Sequence, residues 1–418
     1  MAKLYIEGGN KLSGEIVIQG SKNSALPILA ATLLVRGETV IHNCPCLSDV
    51  NAAIKILTKL GCSCKRENST VTVDATNVMC DTIPVGLMRE MRSSVVFLGA
   101  ILSRCGRAEV SAPGGCELGP RPIDMHLKAL KELGYNVSEN NGNIVCKKDR
   151  TPTSRIIRLR FPSVGATENI LLASSCLDGV TVIHGAAREP EIKDLADFIN
   201  ACGGTVKGAG SSTIEIIGAK RLYSAEHSVI ADRIAAATYL SAAAITGGNI
   251  CINKINARDM SEILKVYSKT GSKIAIYKNK IILSSPSQMR GVGMVKSMVY
   301  PGFPTDAGPT LVAMLTRSKG NSVFEENIFE SRFKYIDELN KFGAGIKVKN
   351  KSAYIIGPSE LSAASVSCTD LRGGAALVVA ALAAKGTSVI DKIYHIDRGY
   401  EKIEHSLKEL GAKIKRIE

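Results

Sequence analysis

Two series of glycines alternate along this chain, and they constrain its fold more than any other feature. Gly37, Gly106, Gly179, Gly247, Gly320 and Gly386 each follow a stretch rich in Ala, Leu and Val. Gly61, Gly134, Gly203, Gly271, Gly343 and Gly411 each close a later, mostly amphipathic stretch. Both series recur every ~70 residues, longer than a solenoid unit and closer to a small subdomain. The apolar stretches Ser24–Leu34, Ser93–Leu102, Ala166–Cys176, Ile234–Ala244, Ala307–Thr316 and Gly373–Ala383 predict helices buried on most faces. Met125–Leu133, Lys193–Ala201, Ser261–Thr270 and Glu401–Leu410 predict second helices that keep Lys and Glu in water. Short β-branched runs follow the closing glycines at Val71–Val73, Asn143–Cys146, Thr213–Ile217, Lys280–Leu283 and Ala353–Ile356. Each repeat therefore reads β-α-β-α-β-β, a mixed α/β module repeated six times.

The sixth repeat stops at Lys413–Glu418, short of its last strands. The segment Lys3–Gln19, with Leu4 and Ile6 and then Ile16 and Ile18 in alternation, is predicted to supply them. The chain then starts and ends in one domain, residues 1–21 with 229–418, and a second domain spans 22–228. A chain of 418 residues exceeds one ordinary core, which agrees with two domains.

Hydrophobic residues make up 45% and charged residues 22%, the balance of a soluble globular protein. Apolar runs such as Ala375–Ala384 fall short of the ~20 residues a membrane span needs. No secretory leader opens the chain, so a cytoplasmic protein is expected. The 12 cysteines are scattered and expected to be reduced. Cys44/Cys46 and Cys62/Cys64 alone have metal-like spacing, and strand alternation explains them equally well, so no metal is expected. A net charge of +14 favours anionic partners. With aromatics at 5% and basic residues dispersed, a small polyanion fits better than nucleic acid.

Fourteen residues before each turn glycine stand Asn23, Arg92, Gly165, Arg233, Asp306 and Arg372, each opening an apolar helix. Helix N-termini attract anions, and arginines there are poor partners for the helix dipole, so capping does not account for them. Thirteen before the closing glycines stand Arg121, Arg258 and Arg398. The second repeat alone is longer between its two glycines, by the loop Pro113-Gly114-Gly115-Cys116-Glu117-Leu118-Gly119-Pro120-Arg121-Pro122-Ile123-Asp124. Its glycines and prolines exclude regular structure and predict a shaped, exposed loop. It carries a thiol with a guanidinium five residues on, a candidate reactive group beside an anion-binding one.

With these features the chain closely resembles the UDP-N-acetylglucosamine 1-carboxyvinyltransferases of the enolpyruvyl transferase superfamily. The resemblance rests on Gly20-Ser21-Lys22-Asn23-Ser24-Ala25, Met91-Arg92-Ser93-Ser94, the cysteine loop, and Ala187-Arg188-Glu189-Pro190-Glu191-Ile192. It continues in Phe303-Pro304-Thr305-Asp306, Thr369-Asp370-Leu371-Arg372 and Tyr394-His395-Ile396-Asp397-Arg398-Gly399-Tyr400. It implies two similar inside-out α/β barrel domains, each of three β-α-β-α-β-β units. The implied reaction moves the enolpyruvyl group of phosphoenolpyruvate to the 3′-hydroxyl of UDP-N-acetylglucosamine, releasing phosphate without metal or organic cofactor. Cys116 is implied as proton donor and as the target of fosfomycin, and Asp306 as the base, with Asp370 as a second candidate for proton transfer. Lys22, Arg92, Arg121, Arg372 and Arg398 are implied around phosphate and carboxylate. Asn23, Pro122, Ile123, Asp124, Met125, Ser163, Val164, Gly165 and Ile328, with Arg121 and Asp306, are implied against the nucleotide sugar. The alternatives are the sister enzyme acting on shikimate 3-phosphate and a catalytically silent regulatory paralogue.

Overall fold

Inner helices that are apolar all round have to be enclosed on every side, and the architecture follows from that demand. A computed structural model describes residues 2–111, 123–140, 142–149 and 154–418. The inner helices are Lys22–Ala31, Phe97–Cys105, Val164–Ser174, Arg233–Ile245, Gly308–Leu315 and Leu371–Ala383. In the fourth of these every residue is buried. The inner helices of repeats two and five are each preceded by a 3-10 turn, Arg92–Val96 and Thr305–Ala307. The chain divides into two units, one of the segment through Gln19 with Ala231–Glu418, the other between Gly20 and Ile230. Each unit has its own continuous core.

Six four-stranded sheets complete the repeats, one per repeat, all with the same order. In the third repeat Ser154–Arg158 runs parallel to Val180–His184, which pairs antiparallel with Thr213–Ile217, which in turn pairs antiparallel with Thr205–Lys207. Within each unit, inner helices pack against one another with the sheets outside them. The outer helices, such as Asp124–Glu132 and Pro190–Ala201, bury one stripe.

One expectation needs correction. The two N-terminal strands do not both complete the sixth repeat. Lys3–Glu7 does, inserting between Thr387–Asp391 and Lys413–Ile417. Ser13–Val17 instead pairs in parallel with Asn249–Asn253 of the fourth repeat. The reason is topological: the strand just ahead of the fourth inner helix, Glu226–Ser228, pairs in the first repeat beside Glu38–His42, which leaves the edge beside Asn249–Asn253 to Ser13–Val17.

The closing glycines meet a conformational demand. All six have positive φ, from +88° at Gly343 to +106° at Gly61. Gly61 ends its helix in the left-handed region, where its N–H reaches back to Leu57 and Thr58. Other glycines permit close approach. A Cβ at Gly99 would lie 2.4 Å from the carbonyl oxygen of Asn169 on the neighbouring inner helix.

Gly99→Ala is therefore expected to lower stability by about 2 kcal/mol or more, because backbone must move. Gly86→Ala, in the short helix Val85–Glu90 with nothing within 4 Å of the added methyl, is expected to be neutral or slightly stabilising. Urea unfolding midpoints of the two variants check the contrast, which disappears if the inner helices are loosely packed.

Candidate active site

In the unit between Gly20 and Ile230, the first inner helix opens with Lys22 and Asn23. Lys22 Nζ lies 3.2 Å from Asp49 Oδ2, and both side chains are nearly buried. Asp49 sits in the first turn of its own helix, where a carboxylate suits the dipole. The Ser24 hydroxyl donates to Asp194, whose carboxylate also accepts the Ile230 N–H at 3.1 Å and meets His227 Nε2 at 2.8 Å. Gly20 lets the chain into this helix, since a Cβ there would come 1.7 Å from the Asn43 carbonyl oxygen. The opening turn is thus fastened through two buried carboxylates.

Arg92 begins the 3-10 turn Arg92–Val96 of the second repeat. Cys116, Arg121 and Pro122 lie outside the described residues. The chain resumes at Ile123, in the N-cap position of the outer helix Asp124–Glu132. Asp124 pairs with Arg160 at 2.5 Å through exposed side chains, a contact worth at most ~1 kcal/mol. Asp124 and Met125 line a small hollow of about 60 Å³ with Lys128, Arg158 and Arg160. Ser163 caps the third inner helix, its hydroxyl accepting from Ala166 N–H at 3.4 Å, and Val164 and Gly165 form the first turn. Gly165 passes close to His126, which leaves 3.0 Å between Cε1 and an added Cβ.

Two buried titratable groups stand behind this turn. Burial pushes the His126 imidazole down to about 4, although Asp124 opposes the shift. Burial, then Glu191 and Glu189, pushes the Glu168 carboxyl from 4.5 up to about 8.

In the other unit, Asp306 lies in the 3-10 turn Thr305–Ala307 that opens the fifth inner helix. Its Oδ1 is 2.8 Å from Arg332 Nη2, and its Oδ2 is 3.2 Å from Arg372 Nη2 and 3.3 Å from Arg372 Nε. The two guanidiniums are 2% and 3% exposed while Asp306 is 29% exposed, so the carboxylate faces outward from a buried cationic seat. Arg372 Nη1 also donates to the Tyr400 hydroxyl at 3.3 Å, and Thr238 meets the same hydroxyl at 2.8 Å. Burial works against the Arg372 charge, but Asp306, Tyr400 and Asp232 outweigh it and hold the guanidinium above its ordinary value.

Asp370 caps the sixth inner helix, its Oδ1 accepting the N–H groups of Arg372 and Gly373 at 3.0 Å each. Ile328 donates its N–H to Glu326 Oε1 at 2.7 Å. The same buried carboxylate accepts from Phe329 N–H, Ser297 and Thr305, so it ties the Ile328 segment to the Asp306 turn. Arg398 ends the 3-10 turn Ile393–Arg398. Its neighbour Asp397 is gripped by both Nη atoms of Arg416, at 3.0 and 2.6 Å. Arg233 opens the fourth inner helix beside Tyr300, with Asp232 as cap. Arg258 lies in the 3-10 turn Ala257–Met260 that leads into the outer helix of that repeat.

All six positions counted back from the turn glycines stand at inner-helix openings, as their spacing predicts. The same count does not find Asp49, Glu326 or Arg332. Arg332 stands eleven residues before Gly343, outside the thirteen-residue register of Arg121, Arg258 and Arg398. Only its burial against Asp306 reveals it. Cys62 is buried and Cys64 lies half-buried on the strand Ser63–Glu67. Among the described residues no group of three His, Cys, Asp or Glu is arranged to hold a metal ion. No helix among them is long and apolar enough to cross a membrane.

A family profile described as EPSP synthase (3-phosphoshikimate 1-carboxyvinyltransferase) matches residues 6–407. UDP-N-acetylglucosamine 1-carboxyvinyltransferase 2 of Caldanaerobacter subterraneus subsp. tengcongensis is 46% identical over 417 residues, covering 100% of both chains. The chain belongs to the UDP-N-acetylglucosamine 1-carboxyvinyltransferase family. Another family member, from Endomicrobium trichonymphae, is 45% identical across 100% of both chains. In solved structures the fold recurs in the enolpyruvyl transferase NikO from Streptomyces tendae, with a TM-score of 0.90 at 23% identity over 100% of this chain and 99% of that one. It recurs again in EPSP synthase from Acinetobacter baumannii, with a TM-score of 0.75 at 17% identity over 100% of each.

The raised Glu168 carboxyl has a consequence for stability. Folded, it keeps its proton up to about 8, whereas its ordinary value is 4.5. The folded chain therefore binds the extra proton between these values, and stability falls as pH rises through that window. Glu168→Gln is expected to become more stable than the parent by about 2 kcal/mol or more on going from about pH 5 to about pH 8. Thermal melts of both proteins at the two pH values measure this. An equal gap at both would show that Glu168 is ionised when folded.

Proposed function

We propose that this chain transfers the enolpyruvyl group of phosphoenolpyruvate to the 3′-hydroxyl of UDP-N-acetylglucosamine, with release of phosphate. The observation that carries the reading is the Asp306 carboxylate seated on Arg332 and Arg372, in a chain 46% identical to a relative named for this reaction. A carboxylate fixed by two guanidiniums and facing outward can take a proton from a sugar hydroxyl. As that oxygen bonds C2 of phosphoenolpyruvate, C3 takes up a proton, for which we assign Cys116 as donor. The same thiol can also bond C2. Loss of a proton from C3 then breaks the C2–O bond to phosphate and restores the double bond. Atoms balance without a metal or cofactor, because the enol phosphate is already activated.

Lys22, Arg92, Arg121, Arg372 and Arg398 neutralise phosphate and carboxylate, where guanidiniums match both geometries. Asn23, the run Arg121, Pro122, Ile123, Asp124 and Met125, Ser163, Val164, Gly165 and Ile328 hold the nucleotide sugar. The domain carrying Cys116 spans 22–228, and 1–21 with 229–418 forms the other. Asp370 is the helix cap described above, which favours a positioning role over proton transfer. In the cell the reaction would be the first committed step of peptidoglycan synthesis in the cytoplasm, and so would serve cell shape and division. Nucleic acid and membrane have no part in it. The sister reaction on shikimate 3-phosphate lacks a supporting observation beyond the description of the matched profile.

Phosphate release is expected only when phosphoenolpyruvate and UDP-N-acetylglucosamine are both present, and release with shikimate 3-phosphate instead would overturn the reading. Asp306→Asn keeps hydrogen-bonding capacity but cannot accept a proton, so turnover is expected to fall by about 10²–10⁴-fold. A loss under about tenfold would remove Asp306 from the base role.

Cys116→Asp is expected to retain substantial activity and to resist fosfomycin, since a carboxyl can still donate a proton. Cys116→Ser is expected to be nearly inactive, its hydroxyl being too weak an acid. One phosphate-release assay compares them. An active serine variant beside a dead aspartate variant would show that the thiol is not the acid.

A further inference from the structure

Asn169 is 1% exposed and lies on the third inner helix, one turn beyond Gly165. Its Oδ1 accepts the Gly99 N–H at 2.7 Å, while its Nδ2 donates to the Val95 carbonyl at 3.0 Å and meets His126 Nδ1 at 2.9 Å. A longer contact of 3.4 Å reaches the Gly165 carbonyl. A backbone N–H can only donate and a carbonyl can only accept, so Gly99 and Val95 fix which end of the amide is which. His126 Nδ1 must then be the acceptor, and the neutral ring carries its proton on Nε2. Burial, which lowers the imidazole to about 4, keeps the ring in that state near neutral pH.

These bonds join three segments. Val95 and Gly99 belong to the turn and helix that begin at Arg92. His126 follows Ile123, Asp124 and Met125 directly, and Gly165 belongs to the turn with Ser163 and Val164. We propose that Asn169 is a positioning residue for the nucleotide sugar, one buried amide that sets these three binding segments relative to one another and locks the His126 tautomer. The proposal rests on the function assigned above.

Asn169→Asp tests it. The introduced carboxylate still accepts from Gly99 but cannot donate to Val95, and to meet it the neutral His126 ring must carry its proton on Nδ1 instead of Nε2. The charged group acting on His126 from its own helix is Asp124. The Val95–Gly99 segment presents backbone to Asn169, the third inner helix presents Asn169 and Gly165 to His126, and Glu168 feels Glu189 and Glu191. The KM for UDP-N-acetylglucosamine is expected to rise about tenfold or more over the parent, and to rise more than kcat falls. Asn169→Ala is expected to show a rise of the same kind.

A KM ratio near one in both variants would overturn the positioning role, and a neutral His126 ring still protonated on Nε2 in Asn169→Asp, read from its 15N NMR shifts, would overturn the tautomer lock. Amide hydrogen exchange without substrate decides the matter if either variant is poorly folded. Faster exchange confined to residues 95–99, 123–127 and 163–167 supports the proposal, and uniform acceleration through residues 231–418 as well overturns it. If the parent itself releases no phosphate with both substrates, the assigned function fails, while the exchange pattern still decides what Asn169 does.

Discussion

A helix enclosed on every side can carry a charge only at its ends, and the rest of this molecule is arranged around that restriction. Any charge in the middle of the Arg233–Ile245 helix would be buried without water. Its first turn, by contrast, offers N–H groups that no residue of the helix can accept. The same holds for the other five inner helices. Variation that a core forbids is thereby allowed at six openings, where Asn, Arg, Gly and Asp occur in place of Ala and Leu.

Arginine at such an opening opposes the helix dipole, so each needs an acid nearby. Asp232 and Asp370 satisfy the N–H groups of the helices that carry Arg233 and Arg372, and Asp306 pairs with Arg372 directly. Removing one member of such a buried set leaves a charge uncompensated, which is far costlier than losing a surface pair. Pairing therefore fixes geometry as well as charge. Arg372 is held at once by Asp306 and Tyr400, which leaves its guanidinium little freedom to turn.

The repeat was legible because glycine spacing and helix composition are local properties. Gly61 and its five counterparts announce left-handed turns, and the Ala-rich stretches announce enclosure. Strand exchange was not fully legible, because Ser13–Val17 alternates no differently from a strand of the sixth repeat, and only the vacant edge beside Asn249–Asn253 assigns it. Residues at helix openings could be counted from the sequence. Arg332, Glu326 and Asn169 could not, since each acts across elements far apart in the chain. A buried Glu accepting four hydrogen bonds looks in sequence like any strand-end acid.

The strand Lys3–Glu7 pairs between Thr387–Asp391 and Lys413–Ile417, so its partners are made long after it. On the ribosome the N-terminal segment must wait, extended and unpaired, while the residues between Gly20 and Ile230 can assemble a core of their own. That inner unit becomes self-sufficient once Glu226–Ser228 has emerged to take the edge beside Glu38–His42. The order of synthesis and the order of folding are thus opposed for the first seventeen residues, and a nascent chain halted before Thr387 would hold one finished unit and one that cannot close.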